Sequence, residues 1–119
     1  MKQAILGLLL VAVAASTTLE GHAFLKRAEP AVGSTVQSSP GQVRIWFSEK
    51  IEPTLSSVQV FDASGREVDN NDGHLDRSSQ QLLNVSLPPL RAGTYKVVWH
   101  VVSVDSHVTK GSFMFQVAR

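Results

Sequence analysis

The amino-acid sequence predicts an all-β fold, an antiparallel β-sandwich of about seven short strands, for the part of the chain that follows residue 21. Three observations lead to this prediction. No segment after His22 has the helical period of about 3.6 residues. Runs of alternating apolar and polar residues are instead separated by turn residues at intervals of about 8–12 residues. Four prolines fall at the edges of these runs, where a missing backbone N–H does least harm: Pro40, Pro53, Pro88 and Pro89.

Alternation within these runs predicts both the strands and the core. The strands are predicted at residues 22–28, 42–48, 57–62, 67–68, 82–87, 94–103 and 111–117. A turn at residues 63–66 is expected to join two of them as a hairpin. One face of each long strand is apolar and is predicted to point inward: Val43, Ile45, Phe47, Tyr95, Val97, Trp99, Val101, Phe113, Phe115 and Val117.

The first residues of the chain have the composition of a secretory signal peptide. A basic start at Lys2 is followed by an apolar run of about a dozen residues from Ala4, and then by small polar residues. A membrane span needs about 20 apolar residues, so cleavage is favoured over an uncleaved anchor. Cleavage after Gly21 leaves His22 as the first residue, whereas cleavage after Ser16 fits the preference for small residues better.

The composition narrows the class of protein. The chain has no cysteine, so packing rather than disulfide bonds must stabilise an exported domain. The net charge is +1, from 11 Lys and Arg and 10 Asp and Glu, and these charges are scattered. Such a pattern argues against binding to nucleic acid or to a membrane surface. About a hundred residues remain after signal removal, enough for one domain with a single core and no membrane span.

The segment 104–110 connects the last two long strands and carries the polar residues of greatest interest. Asp105 and His107 stand two apart in what the pattern predicts as extended chain, so a carboxylate oxygen and an imidazole nitrogen can converge on one point. In a Greek-key sandwich the N-terminal strand can reach the same end. If His22 is the first residue after export, its α-amine and imidazole add two nitrogens. Three nitrogens and one oxygen favour Cu(II), and no thiolate is present to favour zinc.

Each of these residues also has a simpler interpretation. A lone Asp-x-His pair in a loop is usually solvated polar surface. Glu49 closes the second predicted strand and is a candidate extra ligand or supporting acceptor, with a solvated strand-end acid as the alternative. His100 is out of phase with the inward face and His74 lies in a polar loop, so both are predicted to lie at the surface. Trp46 is expected to pack under the N-terminal strand, with shielding of the site as the alternative.

The sequence resembles the CopC family of periplasmic copper-resistance proteins. The resemblance rests on three blocks and the spacing between them: HAFLKRAEPAVGS (22–34), VRIWFSEKI (43–51) and LRAGTYKVVWHVVSVDSHVTKGSFMFQV (90–117). It implies a seven-stranded Greek-key sandwich or barrel, immunoglobulin-like or cupredoxin-like. It also implies a Cu(II) site formed by His22, Asp105 and His107, which Glu49 approaches in some relatives. Finally, it favours a signal peptide at residues 1–21 and a copper-binding domain at residues 22–119.

The resemblance also implies a function. We expect a non-enzymatic, monomeric periplasmic carrier that delivers one Cu(II) ion to an inner-membrane copper transporter (CopD-like) or to another periplasmic copper protein. Some relatives have a methionine-rich loop for Cu(I), but this chain has only Met1 and Met114, so no such second site is expected. Two alternatives stay open: a copper-dependent oxidative enzyme of the monooxygenase type, which shares the N-terminal histidine chelate, and a metal-free immunoglobulin-like interaction module.

Overall fold

The computed structural model describes residues 24–119, so the predicted signal peptide and His22 lie outside the described residues. These residues confirm the all-β prediction, and they contain no helix long and apolar enough to cross a membrane. They form eight strands and one 3₁₀ turn: β1 (Leu25–Glu29), β2 (Thr35–Val36), β3 (Gln42–Phe47), the 3₁₀ turn (Pro53–Leu55), β4 (Ser57–Phe61), β5 (His74–Asp76), β6 (Ser79–Ser86), β7 (Gly93–Val102) and β8 (Val108–Val117).

Two four-stranded sheets, in the orders β1-β3-β6-β5 and β2-β8-β7-β4, form the sandwich. Neighbouring strands are antiparallel, except that β2 pairs in parallel with β8. The sequence does not predict β2 and β5, because strands of two and three residues are too short to show alternation. The strand predicted at residues 67–68 is wrong, since in this segment the turn is followed by a single bridge between Phe61 and Glu67.

The core lies between the two sheets, and every residue of the predicted inward set is buried. Phe47 of β3 packs edge-on against Trp99 of β7, with ring centroids 5.4 Å apart, and so links the inner faces of both sheets. Trp99 lies opposite Gly111 in the β7–β8 register, and its indole occupies the space that a β-carbon on Gly111 would need. Close packing of these three residues therefore sets how the sheets meet beside the β7–β8 connection.

The segment between β3 and the 3₁₀ turn, residues 48–52, joins the start of β1 to the loop after β7. On one side, the Phe24 amide donates to the Ser48 hydroxyl (2.8 Å) and the Ser48 amide donates to the Phe24 carbonyl (2.9 Å). On the other side, the Val104 amide donates to the Lys50 carbonyl (3.0 Å). This bridging segment therefore places Phe24 and the loop after β7 at the same end of the sandwich.

Candidate metal centre

The β7–β8 loop, residues 103–107, is a tight turn. The Ser103 amide donates to the His107 carbonyl (2.9 Å), and the Ser106 amide donates to the Ser103 carbonyl (2.8 Å). Ser106 has a φ of +76°, which lies in the left-handed region. The extended backbone predicted around Asp105 and His107 is therefore wrong, because the chain reverses direction here and cannot keep the alternation of a strand.

The turn nevertheless brings Asp105 and His107 together. Asp105 Oδ1 lies 3.2 Å from His107 Nδ1, and both side chains are 54% exposed. At this separation the His107 ring nitrogen and a carboxylate oxygen of Asp105 could bind one metal ion as neighbouring ligands, each at about 2 Å. The pair could therefore supply one nitrogen and one oxygen to the same ion.

The carboxyl group of Asp105 is held in its ionised form. A hydrogen bond from the Ser103 hydroxyl lowers the pKa of Asp105 below its ordinary value, and the His107 side chain lowers this pKa further by a hydrogen bond and by its charge. Partial burial opposes these effects but does not outweigh them. At neutral pH the carboxylate is therefore available as an anionic oxygen ligand.

Ser103 is the residue of this centre that the sequence does not predict. Its side chain is fully buried, and its hydroxyl donates to Asp105 Oδ1. A signal was present in the sequence: inward positions of β7 alternate through Trp99 and Val101, and the next inward position is Ser103. A polar residue where the pattern calls for an apolar one indicates a specific hydrogen-bonding role.

Glu49 lies in the bridging segment and is half-buried. Within residues 24–119, however, the structure gathers no group of three His, Asp or Glu side chains placed to hold a metal ion. Glu49 is therefore not assembled with Asp105 and His107 in the described part of the chain. Its role as an extra ligand or supporting acceptor stays a prediction.

His22 is not described, so its position relative to Asp105 and His107 also stays a prediction. Phe24, two residues later, is joined to Ser48, and the same bridging segment is joined to the β7–β8 loop. The described start of the N-terminal strand thus agrees with the prediction that this strand reaches the end of the sandwich that carries the loop.

The remaining aromatic and histidine candidates lie apart from the loop tip. His100 is half-buried on the outer face of β7, opposite Ser57 and Lys110, as its phase predicts. His74 is exposed at the start of β5, with its ring Nδ1 2.8 Å from the Asp72 carbonyl. Trp46 packs against the N-terminal strand as expected: the guanidinium of Arg27 in β1 lies 3.8 Å from its ring centroid. A second guanidinium, that of Arg44, lies 5.0 Å from the same centroid.

The fold and this loop define a class of protein: a small β-sandwich domain that presents an acidic residue and a histidine at one end. Residues 25–118 match the sequence model of the CopC domain, and the chain belongs to the CopC family. The resemblance seen in the sequence is thereby confirmed. The relatives include proteins of copper resistance and copper transport.

Individual relatives agree with this assignment. Protein YobA of Escherichia coli (strain K12) is 35% identical over 97 residues, which are 81% of this chain and 78% of that protein. Copper transport protein CutJ of Bacillus subtilis (strain 168) is 28% identical over 113 residues, and the match spans 94% of this chain but only 21% of CutJ. The crystal structure of CopC from Methylosinus trichosporium OB3b superposes with a TM-score of 0.77 and 31% identity, covering 82% of this chain and 94% of that one.

Proposed function

We propose that the protein is an exported copper carrier that binds one Cu(II) ion through His22, Asp105 and His107. The observation that carries the proposal is the contact between Asp105 and His107 on a loop at the same end of the sandwich as Phe24. Membership of the CopC family, together with relatives named for copper transport and copper resistance, supports copper as the cargo.

The chemistry of the donor set fits Cu(II). The α-amine and imidazole of His22 with the imidazole of His107 supply three nitrogens, and Asp105 supplies one oxygen, a tetragonal set that suits this ion. The chain contains no cysteine, so no thiolate competes. A carboxylate ligand from Asp105 would occupy a position that O2 activation needs open, and we therefore propose a carrier rather than an enzyme. Glu49, in the bridging segment, would complete the coordination or support it.

Removal of residues 1–21 in the periplasm would create this donor set, because only then does His22 carry a free α-amine. The mature domain would comprise residues 22–119. Two residue steps separate residue 22 from Phe24, and an extended chain covers about 7 Å at most over that distance. The hydrogen bonds between Phe24 and Ser48 support a position for His22 near the β7–β8 loop.

We further propose that the carrier delivers copper to an inner-membrane transporter (CopD-like) or to another periplasmic copper protein. CutJ supports the first recipient: it is named as a copper transport protein, and a segment similar to this whole chain makes up about a fifth of its length. A domain that forms part of a copper transport protein in one organism is a natural partner of a separate copper transport protein in another. The exposed position of Asp105 and His107 would allow direct transfer.

Capture of copper should depend on pH. Cu(II) must displace protons from its nitrogen ligands, so affinity should fall as the pH is lowered. The pKa of Asp105 is lowered below its ordinary value, so its carboxylate should contribute little to this loss near neutral pH.

The decisive experiment compares two proteins that differ only at the N-terminus. One begins at His22, and the other carries one extra glycine before His22, which moves the α-amine away from the imidazole. Competition titration should give clearly weaker Cu(II) binding for the extended protein, and mass spectrometry of the exported protein should find His22 first. Equal affinity in both proteins would overturn the proposed N-terminal chelate.

A further inference from the structure

Ser103 joins the hydrophobic core to the candidate metal centre. It is fully buried, and it pairs with Ile51 of the bridging segment. Its hydroxyl donates to Asp105 Oδ1, and the same oxygen lies 3.4 Å from the His107 amide. Its backbone amide and carbonyl contact His107 and Ser106. One buried residue therefore touches both members of the Asp105–His107 pair.

The hydrogen-bonding capacity of a serine hydroxyl makes this arrangement directional. The group has one hydrogen and two lone pairs, so donation to Asp105 uses its hydrogen and leaves its oxygen to accept from the His107 amide. Burial and the pairing with Ile51 hold the side chain in place. Asp105 and His107 are each about half exposed, so without such a partner their side chains would sample several rotamers.

We propose that Ser103 is the positioning residue of the copper site, holding the Asp105 carboxylate and the backbone of His107 in their binding geometry before the ion arrives. This inference rests on the proposed function, because it assigns Ser103 a role in that same site. Ligands that are already ordered bind more tightly than ligands that must be ordered on binding. The carboxylate is contacted by the Ser103 hydroxyl and by both the side chain and the backbone of His107, so it is held by several partners before any ion binds.

The test uses Ser103→Ala with Ser56→Ala as a matched control. The Ser56 hydroxyl accepts from the Val102 amide (3.0 Å), so the control loses a similar hydrogen bond one residue away from Ser103. Competition titration of the mature proteins should give about 10-fold weaker Cu(II) binding for Ser103→Ala and an unchanged affinity for Ser56→Ala. The copper EPR spectrum should change only for Ser103→Ala. Thermal unfolding without metal reports the stability loss of each variant separately.

A double-mutant cycle separates positioning from a general loss of structure. If Ser103 acts through the carboxylate, Ser103→Ala should weaken Cu(II) binding much less in an Asp105→Ala background than in the wild type. Equal losses in both backgrounds, or an unchanged affinity and EPR spectrum in Ser103→Ala, would overturn the proposal.

If Ser103→Ala fails to fold, Ser103→Thr, which keeps the hydroxyl, must bind Cu(II) within about twofold of the wild type with the wild-type EPR spectrum. A 10-fold loss in that variant would also count against the role of Ser103. A wild-type protein that binds no Cu(II) would instead overturn the copper carrier itself, so the two failures are distinguishable.

Discussion

Phe24 and Ser48 are joined by two hydrogen bonds, one from the Phe24 amide to the Ser48 hydroxyl (2.8 Å) and one from the Ser48 amide to the Phe24 carbonyl (2.9 Å). This relationship ties the start of the N-terminal strand to a segment that also contacts the β7–β8 loop. The proposed site would draw on these two parts of the chain, which are far apart in sequence.

Ser48→Ala should therefore weaken copper binding without touching a ligand. The variant loses the Ser48 hydroxyl that accepts a hydrogen bond from the Phe24 amide, so the backbone leading to His22 is held by one contact fewer. We expect a destabilisation of about 1 kcal/mol together with weaker Cu(II) affinity. Ser64→Ala is the control, because the Ser64 hydroxyl donates to Asp62 in the turn that follows β4. Titration and urea unfolding of both variants test this, and equal copper affinities would contradict it.

The histidines should differ sharply in their effect on copper binding. His107→Ala removes a proposed ligand. Removal of a residue that only supports a ligand typically weakens metal binding about 10–100-fold, so the loss for His107→Ala should be at least as large. His100→Ala is the matched control, since His100 lies on the outer face of β7, opposite Ser57 and Lys110. Its affinity should equal that of the wild type. A comparable loss in His100→Ala would mean that copper binds elsewhere on the sandwich.

The long strands follow from local sequence patterns, whereas the short strands depend on non-local pairing. Alternation predicts the buried faces of β3, β7 and β8 correctly, because a strand with one face in the core must place an apolar residue at every second position. The short β2 and β5 depend on pairing with β8 and β6, and two or three residues carry no period of their own.

Local patterns and non-local contacts also divide what the sequence predicts about the site from what it does not. Asp105 and His107 are found from their chemistry, but their convergence depends on a turn at Ser106 that the alternating pattern hides. Ser103 acquires its role only when the hairpin folds it against Asp105. The common end of the sandwich shared by Phe24 and the loop follows from hydrogen bonds to residues 48–52, which no periodicity encodes.

Stability in acid should depend on Asp76. Hydrogen bonds from Ser78 and from the Asn84 side chain, with the charge of Arg44, lower the pKa of Asp76 to about 2 from its ordinary 3.8. A pKa depressed by folding stabilises the protein above the unfolded value, and that stability is lost as the pH falls from about 4 towards 2. Asp76→Asn should therefore lower the urea midpoint at pH 7, with a difference from the wild type that shrinks at pH 2.

Urea titrations of both proteins at pH 7, 4 and 2 measure this difference. Asp69→Asn, at a carboxylate that contacts a different strand through the Val60 amide, controls for the general effect of removing one negative charge. A difference between Asp76→Asn and the wild type that stays constant from pH 7 to pH 2 would contradict the role assigned to Asp76.

Gly111 should be intolerant of even a methyl group. A β-carbon there would overlap the indole of Trp99, which is itself packed edge-on against Phe47, so the indole has no space to withdraw into without opening the core. Overpacking of this kind costs about 1–3 kcal/mol, and Gly111→Ala should lower the unfolding midpoint accordingly and shift the tryptophan emission. Gly41→Ala is the control, because nothing lies within 4 Å of a β-carbon at that position. Equal unfolding midpoints for the two variants would mean that the indole can move aside. The packing of Trp99 would then not determine how the two sheets pack beside the β7–β8 loop.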